Sequence, residues 1–287
     1  MPIGLVLEGG GIRGAYTAGV LDVLAREAFP FSTVYGISAG ACNALSFLSG
    51  QVGRNREIFS QYIHDKRYVS FENLVRGGSL FGFNFIFGEL FHELLPFDYD
   101  AFFSNPIGYQ AGATDLETGK IVYFSKDELG ENMEAVRASS AQPFLAHPIR
   151  FAGKKLLDGG PGEAIPLPQA LKDGNRKNVI VLTRDAAFRR SEKPEFPLPM
   201  IRTRYWRYPA FQDALVHRGQ HYNALRAQCF EEEKQGNAIV ICPSSPITLS
   251  GFCRDPAQLM ELYSMGVQDA AAKLEELREF MKESPSL

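Results

Sequence analysis

Cysteine is scarce in this chain: Cys42, Cys229, Cys242 and Cys253 are the only four among 287 residues. They lack the paired spacing of a zinc site and are too few for a disulfide framework, so the chain is read as a reduced protein. No stretch approaches the ~18 uninterrupted apolar residues of a membrane-spanning helix. The run from Met1 to Leu7 has no basic flank and meets Glu8 at once, so no signal peptide is expected. Charge of one sign is missing too, since a formal net charge of -3 is far from the basic footprint of a nucleic-acid binder. There is no internal repeat, no low-complexity tract and no interdomain linker. These absences point to a cytoplasmic globular protein with no nucleic-acid partner, whose contact with a membrane, if any, is peripheral.

What is present fits that class. Hydrophobic residues make up 45% and charged residues 22%, enough apolar material for a large core, and one domain over residues 1–287 is expected. Ile3 to Leu7 is a short apolar run ending in glycines, as in a buried parallel strand. A helical pattern follows to about Pro30, then a second strand at Thr33 to Ile37 and a second apolar helix from Ala39 to Leu48. Strand, helix, strand, helix in quick succession implies right-handed parallel crossovers and an α/β sheet.

Further strands are expected at Ile107 to Thr114, paired with Lys120 to Phe124, at Asn178 to Thr183 and at Ala238 to Cys242, with a hairpin turning at Ala152-Gly153. Ser125-Lys126-Asp127-Glu128 has the form of a capping box opening a helix to about Ser139. A long helix is expected from about Phe211 to Glu233. Asp255-Pro256 should start a C-terminal helical extension, about 255–282, whose stripe of Leu259, Leu262, Tyr263, Val267, Ala270, Leu274 and Leu277 is expected to cover the sheet.

Two segments stand apart. An insertion over about 54–104 is crowded with aromatics from Tyr68 to Phe103 and reads equally as extra core or as a lid and acyl-binding surface. Residues 184–208 are rich in arginine, with Tyr205, Trp206 and Tyr208 among them, and read either as a solvated loop or as a contact for anionic headgroups.

The chemistry-bearing stretch is Gly36-Ile37-Ser38-Ala39-Gly40, a serine between glycines where a strand hands over to a helix. Such a turn presents a hydroxyl clear of the sheet as a nucleophile. Upstream, Gly9-Gly10-Gly11-Ile12-Arg13-Gly14 satisfies a dinucleotide fingerprint, but the second strand ends in Ser38 where a ribose-binding carboxylate belongs. Glycines opening a helix instead expose amides for an oxyanion, with Arg13 adding charge.

The general base has several candidates. His217 and His221 follow the serine in the order of an α/β-hydrolase, but they lie on a helical pattern, and Arg218 stands where a zinc pair would need its glutamate. Asp158, at a strand end before Gly159-Gly160, is either the base or part of a plain turn.

Taken together, Gly9 to Gly14, the Gly-x-Ser-x-Gly turn and Asp158-Gly159-Gly160 resemble the patatin-like phospholipases, on the side of the bacterial branch. Supporting matches are Ala113 to Gly119, Ala138 to Phe144 and Ile165-Pro166-Leu167. The resemblance implies a three-layer α/β/α patatin-like fold with a mainly parallel central sheet and an aromatic-rich insertion. It implies a serine acyl hydrolase of phospholipids or related esters, with Ser38 as nucleophile, Asp158 as base, and Gly10, Gly11, Ile12 and Arg13 around the oxyanion hole. It calls for no cofactor and no metal. Glu8 replaces the aspartate common before the glycines in the plant members. The alternative is a non-catalytic lipid- or ligand-binding regulator on the same fold.

Overall fold

The computed structural model describes residues 2–249, 251 and 253–282; Met1 and residues 283–287, the ends of the expected domain, lie outside them. One sheet organises the chain, from β1 (Ile3–Leu7), β2 (Thr33–Ile37), β3 (Gly108–Asp115), β4 (Ile121–Ser125), β5 (Ile149–Phe151), β6 (Lys154–Asp158), β7 (Lys177–Val181) and β8 (Ala238–Ile241). Its order is β5-β6-β3-β2-β1-β7-β8, with β4 on β3. The contiguous run β3-β2-β1-β7-β8 is parallel, and β4, β5 and β6 are antiparallel. The α/β class, the mainly parallel sheet and both expected hairpins are all present.

The strands are apolar on both faces because helices cover both. Ile3, Leu5 and Leu7 of β1 join a core shared with α1 (Gly14–Glu27) and α2 (Ala39–Leu48), while Val6 joins a second core on the other face. The period-2 alternation of a strand divides one pentapeptide between two layers.

The remaining helices are α3 (Arg54–Glu57), α4 (Phe71–Gly77), α5 (Tyr99–Ser104), α6 (Glu134–Ser139), α7 (Leu167–Lys172), α8 (Leu198–Arg204), α9 (Pro209–Lys234), α10 (Pro256–Ala272) and α11 (Leu274–Lys282). Two stretches of the insertion, Ile58–Tyr62 and Phe85–Leu94, are wound as π-helix, a form often found at functional sites.

Two local expectations are corrected. The capping box at Ser125 and Glu128 forms, but it caps one 3-10 turn only: Gly130 at φ 81° and Met133 at φ 56° break the chain before α6. The α10 part of the C-terminal stripe packs on α1 and not on the sheet, while α11 meets the start of β7, where Lys177 donates to the Phe280 carbonyl at 3.3 Å. Asp255 caps α10 by accepting the Ala257 amide at 3.0 Å, and the α1 and α10 backbones then cross at Gly19 and Gly266. A Cβ on Gly19 would stand 2.1 Å from the Tyr263 carbonyl oxygen, and one on Gly266 2.1 Å from that of Tyr16. Tyr263 closes the contact by donating to Asp22 at 2.7 Å. Gly266→Val is therefore expected to cost about 1–3 kcal/mol or more through overpacking, read as a lower midpoint in thermal unfolding; an unchanged midpoint would show that this close crossing does not exist.

Candidate active site

Ser38 leaves β2 and opens α2 with φ 53° and ψ -120°. That left-handed backbone at a residue carrying a Cβ costs of the order of 1–3 kcal/mol and persists only where its surroundings enforce it. Here packing enforces it. A Cβ on Gly36 would lie 2.6 Å from the Ala41 backbone, and one on Gly40 2.5 Å from the Leu7 carbonyl oxygen, so only glycine fits on either side of the turn. The Ser38 amide donates to Ser139 Oγ at 2.8 Å, and the Ser38 carbonyl accepts the Cys42 amide at 3.0 Å.

The sheet register brings Asp158 to the same point. β2 pairs with β3 up to Ile37 opposite Gly112, and β4 occupies the other edge of β3 over Gln110 to Thr114. β6 pairs with Ala113 to Asp115, so it must take the edge that β2 has just vacated, with Asp158 opposite Ala113. The C-terminal ends of β2 and β6 therefore meet head to head, opposite the successive β3 residues Gly112 and Ala113. A Cβ on Gly159 would stand 3.0 Å from Ile37 Cγ2.

Asp158 is 4% exposed. Burial raises its carboxyl above the ordinary carboxylate range; the Arg218 charge, a hydrogen bond with the Ser38 side chain and the Gly160 amide, which donates to Oδ1 at 2.8 Å, pull it part of the way back. A buried carboxylate of raised proton affinity beside a hydroxyl is a better proton acceptor than a free aspartate.

The glycine loop lies on the adjacent strand end, because Leu7 of β1 pairs with Gly36. The Gly9 amide donates to the Ala164 carbonyl at 3.1 Å and the Arg13 amide to Gly10 at 3.2 Å; the amides of Gly10, Gly11 and Ile12 between them meet no backbone carbonyl among the described residues. Glu8 anchors the loop from beneath: its buried carboxylate accepts the Thr183 amide and, at 2.8 Å, the Tyr222 hydroxyl. The glutamate that departs from the plant pattern thus has a structural use, tying the loop to α9.

Two hollows meet at Ser38. A cleft of about 530 Å³ is lined by Gly10, Gly11, Arg13, Asp158, Arg190 and Arg218 among others. A narrow pocket of about 80 Å³ runs under the insertion past Ile58, Phe59, Phe81, Phe83, Phe87 and Phe91. Gly11, Ser38 and Gln142 line both. Buried rings such as Phe83, Phe87 and Phe91 are core and pocket wall at once.

Other candidates fall away on position. His217 and His221 sit on α9 and line neither hollow; the His217 ring is held by Asp213 at 3.0 Å. No cluster of potential metal ligands occurs among the described residues.

Arg218 and Arg190 are the site residues that sequence reasoning missed. Arg218 falls on the buried face of α9 with Phe211, Leu215, Gly219 and Tyr222, and an arginine at helical spacing within an apolar stripe was the available signal. Residues 184–208 are only partly a solvated loop, because Arg184 and Arg190 turn into the cleft.

The family model described as patatin-like phospholipase matches residues 5–171, more than half of the chain. The chain belongs to the patatin-like phospholipase family. The patatin-like segment carries Ser38, Asp158 and the glycine loop, whereas Arg184, Arg190, Arg218 and Tyr222 come from beyond it. A second model, described as a domain of unknown function (DUF6363), matches residues 208–282. The chain is 29% identical over 283 residues to the uncharacterized protein YjjU of Escherichia coli, covering 92% of this chain and 74% of that protein. It is 28% identical over 190 residues to lysophospholipase NTE1 of Scheffersomyces stipitis, a match spanning 62% of this chain and 11% of the relative. VipD from Legionella pneumophila aligns with a TM-score of 0.46 at 16% identity, over 96% of this chain and 67% of that one. Membership of the patatin-like family supports a lipid ester hydrolase. No helix among the described residues is long and apolar enough to cross a membrane.

Proposed function

We propose that the protein is a serine acyl hydrolase that cleaves fatty-acyl esters of phospholipids or related lipids through Ser38 and Asp158. The observation that carries this reading is the meeting of Ser38, Asp158 and the free amides of the glycine loop at the junction of an apolar pocket and a polar cleft. Ser38 Oγ attacks the ester carbonyl carbon while its proton passes to Asp158. The carbonyl oxygen becomes an oxyanion facing the amides of Gly10, Gly11 and Ile12, with the Arg13 charge behind them. The C–O bond to the alcohol breaks, the alcohol takes the proton, and an acyl-enzyme remains. Water then loses a proton to Asp158 as it attacks the acyl carbon, and the fatty acid leaves with Ser38 regenerated.

The narrow pocket suits the acyl chain. At about 80 Å³ it is smaller than the ~150 Å³ of a cavity that holds benzene, so a fatty-acyl chain enters only as the rings of the insertion move apart. We take residues 1–287 as one functional unit, since side chains from beyond residue 171 line the same cleft as Ser38. Peripheral contact with a lipid surface is supported by the exposed Phe71 and Val75 of α4 and by Leu198, Met200 and Trp206 on and after α8, among Arg202, Arg204 and Arg207.

A fluorophosphonate probe tests the reading directly. It should form one adduct, at Ser38, because only an activated serine reacts. An unlabelled folded protein would favour a non-catalytic lipid-binding regulator.

A further inference from the structure

The polar cleft holds more positive charge than hydrolysis of a neutral ester requires. Arg13, Arg184, Arg190 and Arg218 all line it, reaching in from the glycine loop, the segment after β7, and α9. Three carboxylates share the space and each is committed. Glu8 is held by the Thr183 amide and the Tyr222 hydroxyl. Glu195 is shared by Arg218 at 2.8 Å and Arg190 at 3.3 Å. Asp158 faces Ser38.

Arg13 has no ion pair or side-chain hydrogen bond among the described residues, and its buried Nε has no partner. Burial and the neighbouring Arg184 push its pKa down to about 10, against the pull of Glu8. Burial and Arg190 likewise lower that of Arg218. Several guanidinium groups crowded into a part-buried cleft repel one another, and a bound anion would relieve that repulsion.

We infer that this cleft is an anion subsite in which Arg13, Arg190 and Arg218 hold the phosphate monoester of the substrate's polar part while its ester lies on Ser38, which lines the same cleft. The inference rests on the acyl hydrolase reading and adds a substrate class to it. Phosphate suits the site because its oxygens accept from guanidinium groups arriving from several directions. A quaternary ammonium headgroup does not suit it. Of the three rings lining the cleft, Phe188 is covered by Arg184 at 4.6 Å and Tyr222 by Arg190 at 5.5 Å, while Phe196 packs on Phe144 at 4.2 Å, which leaves no cage of open aromatic faces for such a cation. Arg184 and Arg190, like Arg218, lie beyond the patatin-like match, so selectivity is contributed by the second half of the chain.

The test is calorimetric binding to full-length Ser38→Ala protein, which separates recognition from turnover. The probes are 1-hexanoylglycerol 3-phosphate, 1-hexanoylglycerophosphocholine, 1-hexanoylglycerol and inorganic phosphate. The phosphate monoester is expected to bind about tenfold more tightly than the other two esters, and Arg190→Gln should remove that margin while Arg190→Lys keeps part of it. Equal affinities for the three esters, or a margin that Arg190→Gln leaves intact, would overturn the subsite. Inorganic phosphate binding as tightly as the phosphate ester would overturn the headgroup assignment in favour of a free-phosphate site. If the margin holds but the unmutated protein hydrolyses none of the three esters, the subsite stands and the hydrolase reading fails.

Discussion

Ser38→Ala is expected to lower ester hydrolysis by roughly three to six orders of magnitude, the range seen when a nucleophile that acts with its base is removed. The fold should survive, because the backbone contacts of this turn, to Ser139 Oγ and from the Cys42 amide, do not use the Ser38 hydroxyl. A sharper version uses glycine. Ser38 is held at φ 53° and ψ -120°, and removing its Cβ relieves backbone strain of about 1–2 kcal/mol, offset in part by the added freedom of the unfolded chain. Ser38→Gly should thus be as inactive as the alanine variant yet unfold at a higher temperature than it. Activity remaining in either variant, measured on a short-chain ester, would remove Ser38 from the role of nucleophile.

Asp158→Asn should cost about two to four orders of magnitude, the usual contribution of a positioned general base. It also carries a stability signature that distinguishes a desolvated base from an ordinary structural carboxylate. Burial raises the pKa of Asp158 in the folded state above its unfolded value, so folding favours the protonated form. The contribution of this group is fully present below the unfolded pKa and is lost as pH rises through the folded one. At neutral pH the native carboxylate is therefore a burden on the fold, and a neutral asparagine in its place should unfold at an equal or higher temperature. The difference should shrink as pH is lowered through the folded pKa of Asp158, and thermal melts of both proteins across that window measure it. In the rate profile, the acidic limb should lie above the ordinary carboxylate range of about 3.9, and Arg218→Gln should move it higher still, because the Arg218 charge helps keep the base ionised. A variant that loses stability at neutral pH but keeps its activity would reverse both assignments.

The two missed arginines mark the boundary of what residue patterns convey. Arg190 lies in a proline-broken segment with no periodicity, and Arg218 sits between two histidines whose i, i+4 spacing drew attention to a metal pair. Neither position carries a local rule that makes arginine necessary. Their meaning comes from α9 packing its inner face toward Gly160, where an added Cβ would stand 2.8 Å from Arg218 Nη2 and 2.9 Å from Asp158 Oδ1. The C-terminal stripe was misplaced for a related reason. Periodicity reports that a helix has an apolar face, and not which surface that face meets.

From its sequence alone the chain determined its strands, their hairpins, the serine turn between glycines and the glycine loop at the first strand end. Each follows from local physics: period-2 apolar runs, the backbone that glycine permits, and amides exposed where a helix starts. The tertiary structure alone decided by which route Asp158, the base that the family resemblance implied, comes to Ser38, that a cationic cleft faces an apolar pocket across them, and that α10 rests on α1. Those outcomes depend on which edge of β3 each neighbouring strand takes and on how helices distant in sequence pack. Contacts between residues 38, 158 and 218 are long-range, and no local window of the chain contains them.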